Sequence, residues 1–361
     1  MTAPSAEAAT PPETLSPGDL GVDPLPFEFT PGDLPSPLVI SFPHVGLGWP
    51  ADFLRPPPQV SFGRNADYEV QTLFPGAHAR GAASLQAIFS RLLVDLNRAD
   101  DDVRPELVPD HPTPRPRSRP TTGPAIPNRG VLWDTAVGNI PILAGPITHA
   151  ELDLRLSRYH RPYHAAIELL LRRRIDRFGH AILLEAHSMP GTIPGDLIVG
   201  TLEGGSCAPE VQARALAALG ARDPETGIAF DVRLNDPYRG GEIVRAFGRP
   251  ERGIHALQVE VNRALYMDEA NLVLLAPPGR ADPPPRVGAR MLTQRQRRLG
   301  ALLRRLDDLV AALVALPAPA SAERPTSASL TNEAEPIQPA QGMPADGDCL
   351  VYSAVPRLKS P

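Results

Sequence analysis

Four short stretches read as buried strands and constrain the fold more than any other feature of the chain: Pro37–Pro43, Arg91–Leu96, His180–Ala186 and Ile254–Glu260. Three of them are continuous apolar runs bounded by polar or turn residues, the pattern of a sheet covered on both faces. Between them the apolar spacing changes to that of helices. Thr148–Glu151 has the form of a capping box, and Leu152, Leu156, Tyr159, Tyr163, Ala166, Ile167 and Leu170 follow at helical intervals. Gly179 is placed to end that helix, and Pro162 to kink or split it. A further helix is expected over Pro209–Leu219. A last one is expected to open at a second capping box, Thr293–Gln296, with Leu299, Leu302, Leu303, Leu306, Leu309, Val310 and Leu313 as its apolar stripe. Strands alternating with helices predict an α/β fold, a single domain with a central mixed, largely parallel sheet flanked by helices.

Proline sets the limits of that domain. The chain has 45 prolines in 361 residues, about 12% against roughly 5% in average proteins. They gather in residues 1–36, 102–127, 277–285 and 317–361. Such stretches bury too little apolar surface to offset the entropy of ordering them. Residues 1–36 and 317–361 are therefore expected to be disordered tails, and 37–316 the folded domain, with a proline-rich insertion at about 103–127.

Several functions are excluded by composition. Lysine occurs once, at Lys359, so the domain has no Schiff-base lysine, no P-loop lysine and no Ser-Lys nucleophile. A net charge of −5 and a pI near 6.0 give no general attraction to nucleic acid or an anionic membrane. The two cysteines, Cys207 and Cys349, form no CxxC pair, and Cys207 reads as a small buried thiol. No lysine or arginine precedes Arg55, and no apolar run reaches the ~18 residues of a membrane helix. A soluble, cytoplasmic protein is expected; nothing in the sequence indicates its oligomeric state.

Each predicted strand delivers polar side chains at its carboxyl end, where open α/β sheets bind ligands. These are His44, then Asn97 and Arg98, then His187 and Ser188, then Glu260 and Asn262. Two histidines on separate strands suit a zinc site, which takes three protein ligands and keeps one position for water. Asp67, Glu69 and Glu185 are the local choices for the third ligand. Glu260 and Gln258 share one strand face, and a carboxylate on a buried strand is costly unless paired or working. Glu260 is accordingly read as a general base. Arg98, and Arg245 in GGEIVR, suit a substrate carboxylate because guanidinium grips one bidentately. His164 is a further candidate, able to polarise a carbonyl. His255 points away from Glu260 and is expected to be structural. The pattern as a whole points to metal-assisted hydrolysis of a small anionic substrate.

The segments ISFPHVGLGWP, NADYEVQTLF, LLVDLNRADDD, RPYHAAI, LLEAHSM, GTLEGGSCAPE and the run from Asn235 to Glu269 together resemble the N-formylglutamate amidohydrolase family, over about residues 37–312. The resemblance implies a zinc amidase with a fold similar to the zinc carboxypeptidases and one Zn2+ per chain. It implies His44, Asp67 and His187 as metal ligands, Glu260 as base, Arg98 as carboxylate-binding residue, and release of formate from N-formyl-L-glutamate in histidine catabolism. Leu47 stands where carboxypeptidases carry the glutamate of an HxxE pair, and Asp67 takes that place. Asn97, Arg245 and His164 are expected beside the substrate. An amidase for another N-acyl amino acid or a short peptide is the alternative on the same scaffold. From a different class, the chain would be a non-catalytic binder of an acidic metabolite.

Overall fold

A computed structural model describes residues 13–116, 129–276 and 289–317, without the side chains of 289–293. The expected C-terminal tail from 318, with Cys349 and Lys359, lies outside the described residues, as do 1–12 and 117–128.

The centre is a seven-stranded sheet. In chain order its strands are β1 (Phe27–Thr30), β2 (Leu38–Phe42), β3 (Ala83–Ala87), β4 (Ala181–Met189), β5 (Leu197–Gly200), β6 (Val232–Leu234) and β7 (Ile254–Asn262). Their order across the sheet is β1-β3-β2-β4-β7-β5-β6. Four neighbouring pairs are parallel, while β1 on β3 and β5 on β7 are antiparallel. This is the mixed, largely parallel α/β sheet that the alternating pattern predicts.

Helices cover both faces. On one side α1 (His149–Arg155) runs through a π-helical turn, Leu156–His160, into α2 (Arg161–Phe178). Thr148 caps α1 by accepting the Glu151 amide at 3.1 Å. The Glu151 carboxylate, however, serves Arg55 and Arg155 instead of closing the box. Pro162 falls in the first turn of α2 after the π turn, where its missing N–H costs least. Gly179 ends α2 in the left-handed region. Tyr163, Ile167 and Leu170 of α2 pack with Val39, Leu85, Leu183 and Ala256. The opposite face receives α3 (Pro209–Gly220) and α5 (Ala289–Val314). There Leu299, Leu302, Leu306, Leu309 and Leu313 join Ile40, Leu184 and Val259. Each such leucine contributes about 1.5–3 kcal/mol by leaving water. A short α4 (Glu242–Phe247) precedes β7.

Three sequence expectations are corrected. Arg91–Leu96 is a turn-rich loop; its apolar residues Leu92, Leu93, Val94 and Leu96 are buried as loop side chains. The strand in that place in the sheet is β3, whose sequence ASLQA has small and polar residues that hide its buried character. The N-terminal segment does not remain a tail through residue 36. It supplies β1, whose Phe27 is buried edge-on against Tyr163 at 5.7 Å. The last helix opens at Ala289, so Thr293 lies within it and does not cap it.

Candidate active site

Alternation along the strands builds the site. On β4 and β7 the side turned to α2 begins apolar, with Leu183 and Ala256. Two residues further on it becomes Glu185 and Gln258, and two further His187 and Glu260. Parallel pairing puts Glu185 beside Gln258 and His187 beside Glu260. His44 follows the end of β2. Asp67 lies beyond it in the following loop, tied back by its amide to the His44 carbonyl at 2.9 Å.

His44, Asp67 and His187 converge. All three are buried, and one ligand atom from each lies within 4.8 Å of the others. His187 Nδ1 is 2.6 Å from Asp67 Oδ2, and His44 Nδ1 is 3.5 Å from the same oxygen. The far nitrogen of each ring has its own carboxylate. His44 Nε2 meets Asp95 Oδ1 at 2.7 Å, and His187 Nε2 meets Glu185 Oε1 at 2.8 Å. With Nε2–H donating outward, each ring has Nδ1 turned into the cluster, the arrangement of a metal-ligating histidine once that nitrogen gives up any proton to make room for a cation. His44 Nδ1 is buried with no hydrogen-bond partner. The donor set, two imidazoles and a carboxylate, fits a divalent cation of the zinc type.

The electrostatics point the same way. Burial opposes a charge on His187, but Glu185 and Asp67 more than offset it and raise its pKa well above the ordinary value. Burial also opposes ionisation of Asp67, yet its hydrogen bond to His187 and the nearness of His44 hold its carboxyl well below the usual range. The cluster therefore favours a bound positive charge. Glu260 behaves differently. Burial pushes its pKa up to about 7, against the charge of His187 and with the help of Asp67 and Glu185. Its Oε1 accepts from Gln258 Nε2 at 2.7 Å, and Gln258 Oε1 accepts from the Gly241 amide at 2.7 Å.

Of the alternatives for the third ligand, Asp67 is the one in the cluster. Glu185 holds the far side of His187, and Glu69 sits at a left-handed position with its carboxylate on Gln71. Asn97 Nδ2 lies 3.2 Å from His187 Nε2, while its Oδ1 accepts from the Ile243 amide at 2.8 Å. His164 donates to the Leu96 carbonyl at 2.8 Å and stacks on His160, which reaches the Arg98 carbonyl at 2.7 Å. The π turn and α2 thus use two histidines to grip the loop that carries Asp95, Asn97 and Arg98. Burial lowers the pKa of His164 to about 3, so it serves there as a neutral donor. Arg98 bonds to the Asn97 carbonyl at 2.5 Å. Arg245 pairs with Glu242 and lines an open pocket of 330 Å³ with Ala99, Asp101, His160 and His164.

Asp95 escaped the sequence reading although it stands two residues before Asn97. A carboxylate inside an apolar run was the available signal, since burying one demands partners. Arg91 likewise reads as the start of a strand and instead bonds Asp95 at 2.6 Å.

An α/β sheet whose strand ends bring His44, His187 and Glu260 together with Asp67 of the loop after β2 has the form of a hydrolase, and comparison with known proteins agrees. Residues 36–267 match the family model described as N-formylglutamate amidohydrolase. The chain belongs to that family. It is 32% identical to N-formylglutamate deformylase of Pseudomonas aeruginosa over 250 residues, covering 64% of this chain and 83% of the relative. It is also 32% identical to the Pseudomonas putida protein of the same name over 245 residues, 64% and 82% of the two chains. The crystal structure of N-formylglutamate amidohydrolase from Ralstonia eutropha superposes with a TM-score of 0.59 at 29% identity, covering 79% of this chain and 98% of the other. Among the described residues, no helix is long and apolar enough to cross a membrane.

Proposed function

We propose that this chain is a metal-dependent amidohydrolase that cleaves N-formyl-L-glutamate to formate and L-glutamate. The observation that carries the reading is the buried convergence of His44, Asp67 and His187 with Glu260 beside it. The names of the relatives support the substrate; a place in histidine catabolism in the cytoplasm is part of the proposal.

His44 Nδ1, Asp67 and His187 Nδ1 would hold one Zn2+. When bound, such a cation supplies Lewis acidity toward a carbonyl oxygen and toward water. Asp95 and Glu185 fix the ring tautomers that make both histidines donors. Glu260 is the general base: it takes the proton of the attacking water and returns it to the departing amine. Gln258, with its amide oriented by the Gly241 N–H, holds one oxygen of Glu260 and leaves the other for that proton. Arg98 and Arg245 are assigned to the carboxylates of the substrate, with Asn97 and His164 bordering it.

The test is formate release from N-formyl-L-glutamate by the purified protein, with and without a chelator. Chelator-sensitive release supports the reading. Release only from acetyl or larger acyl substrates would replace the substrate and retain the scaffold. Tight binding of glutamate analogues without metal or turnover would leave a binding protein.

A further inference from the structure

We infer that Trp133 is a positioning residue for the metal ligand His44, acting through Asp95, and that the segment after the proline-rich insertion thereby completes the metal centre. The inference rests on the metal reading above.

Asp95 is fully buried, and each of its oxygens is used. Oδ1 accepts from His44 Nε2 at 2.7 Å and from the Asn97 amide at 3.0 Å. Oδ2 accepts from Arg91 Nη2 at 2.6 Å and from the Trp133 indole N–H at 3.0 Å. Asp95 is a carboxylate whose direction is set by the donors on Oδ2, and that direction sets the His44 ring.

Trp133 is itself held on several sides. The guanidinium groups of Arg91 and Arg129 lie 4.6 and 4.4 Å from its ring centroid. The chain that brings it in is stitched to the Asp95 loop by Asp95 N to Val131 O and Val131 N to Asp102 O, both 2.9 Å. Gly130 permits the approach: it has φ +59°, and a Cβ there would lie 2.1 Å from the Asp102 carbonyl. Arg91 alone, with its longer and more flexible side chain, binds Oδ2 as a charge. The indole fixes an angle, through one N–H on a rigid ring.

Trp133→Phe keeps an aromatic ring at this position but removes the N–H donor together with the five-membered ring of the indole. Partners that hold metal-ligating groups are worth 10–100-fold in metal affinity, and Trp133 acts one bond further out. We expect Zn2+ affinity, measured by chelator competition, to weaken roughly tenfold in Trp133→Phe and to stay at the wild-type value in Trp49→Phe. The chain has two tryptophans, so Trp49→Phe leaves Trp133 as its sole tryptophan emitter. Its emission is expected to change on addition of one equivalent of Zn2+, which keeps the inference testable should Trp133→Phe fail to fold. Zn2+ affinity of folded Trp133→Phe within threefold of wild type would overturn the inference while leaving the metal centre intact. An unchanged Trp133 emission with Zn2+ bound would do the same. No Zn2+ binding by the wild-type protein would overturn both readings.

Discussion

His187 and Glu260 are register partners on adjacent parallel strands, so the nearer metal ligand and the base are carried at a fixed separation by backbone pairing. Glu260→Gln preserves the shape of that pair and removes the basic oxygen. Zinc content is expected to stay at the wild-type level while kcat falls about 10²–10⁴-fold, the usual worth of a general base. Metal analysis and formate release on the same sample check this, and a fully active variant would remove Glu260 from the role.

The same residue sets an acid limb. Glu260 must be ionised to accept a proton, and burial pushes its pKa up to about 7. A neighbouring divalent cation favours the carboxylate and moves the limb lower. kcat/KM is therefore expected to fall on the acid side, with a limb at or below pH 7. A profile flat from pH 5 to 8 would contradict it.

His187→Ala removes one ligand atom and leaves Glu185 buried without its partner. Zinc is expected to be lost on dialysis, with turnover lost in parallel. Wild-type metal content in the variant would count against His187 as a ligand.

Gly241 lies against Asn97, and a Cβ there would stand 2.2 Å from Asn97 Nδ2. Gly241→Ala must push Asn97 away from His187 and Ile243. Overpacking of this kind costs about 1–3 kcal/mol, and kcat/KM is expected to fall at least tenfold. Unchanged kinetics would show that the Asn97 amide has no part in holding the site.

His255 gives a pH effect on stability at the opposite end of the sheet. Its Nδ1 accepts from the Ala208 amide at 3.2 Å, and burial, aided by His180, lowers its pKa to about 4. The unfolded chain takes up this proton near pH 6.5, whereas the folded chain does not until about pH 4. Stability is full above the unfolded pKa and falls as pH drops toward the folded one, by about 1.4 kcal/mol per pH unit for one proton. His255→Gln is expected to flatten that slope between pH 6 and 4.5 in denaturant titrations. An unaltered slope would refute the assignment.

How much of this is legible in the sequence depends on whether a residue's partners are local. β2, β4 and β7 announce themselves as apolar runs, and α2 announces its end at Gly179. His44, His187 and Glu260 are found because they terminate such runs. β3 is missed because ASLQA owes its burial to β1 and β2 and to no pattern of its own. β1 is missed because its partner lies some 57 residues on, at Ser84–Ala87. Asp95 and Trp133 are missed because their meaning lies in what they touch, which no local pattern records. The converse error was Arg91–Leu96, where buried loop side chains imitate a strand.

β1 also has a practical consequence. Along Phe27–Thr30 it covers the outer edge of β3, whose peptide groups would otherwise be open to pair with another chain. A protein trimmed to begin at residue 37, where the proline-rich segment ends, would keep every residue of the active site. Its weakness would lie in solubility, worsening as concentration rises, because copies could add to one another along the uncovered strand.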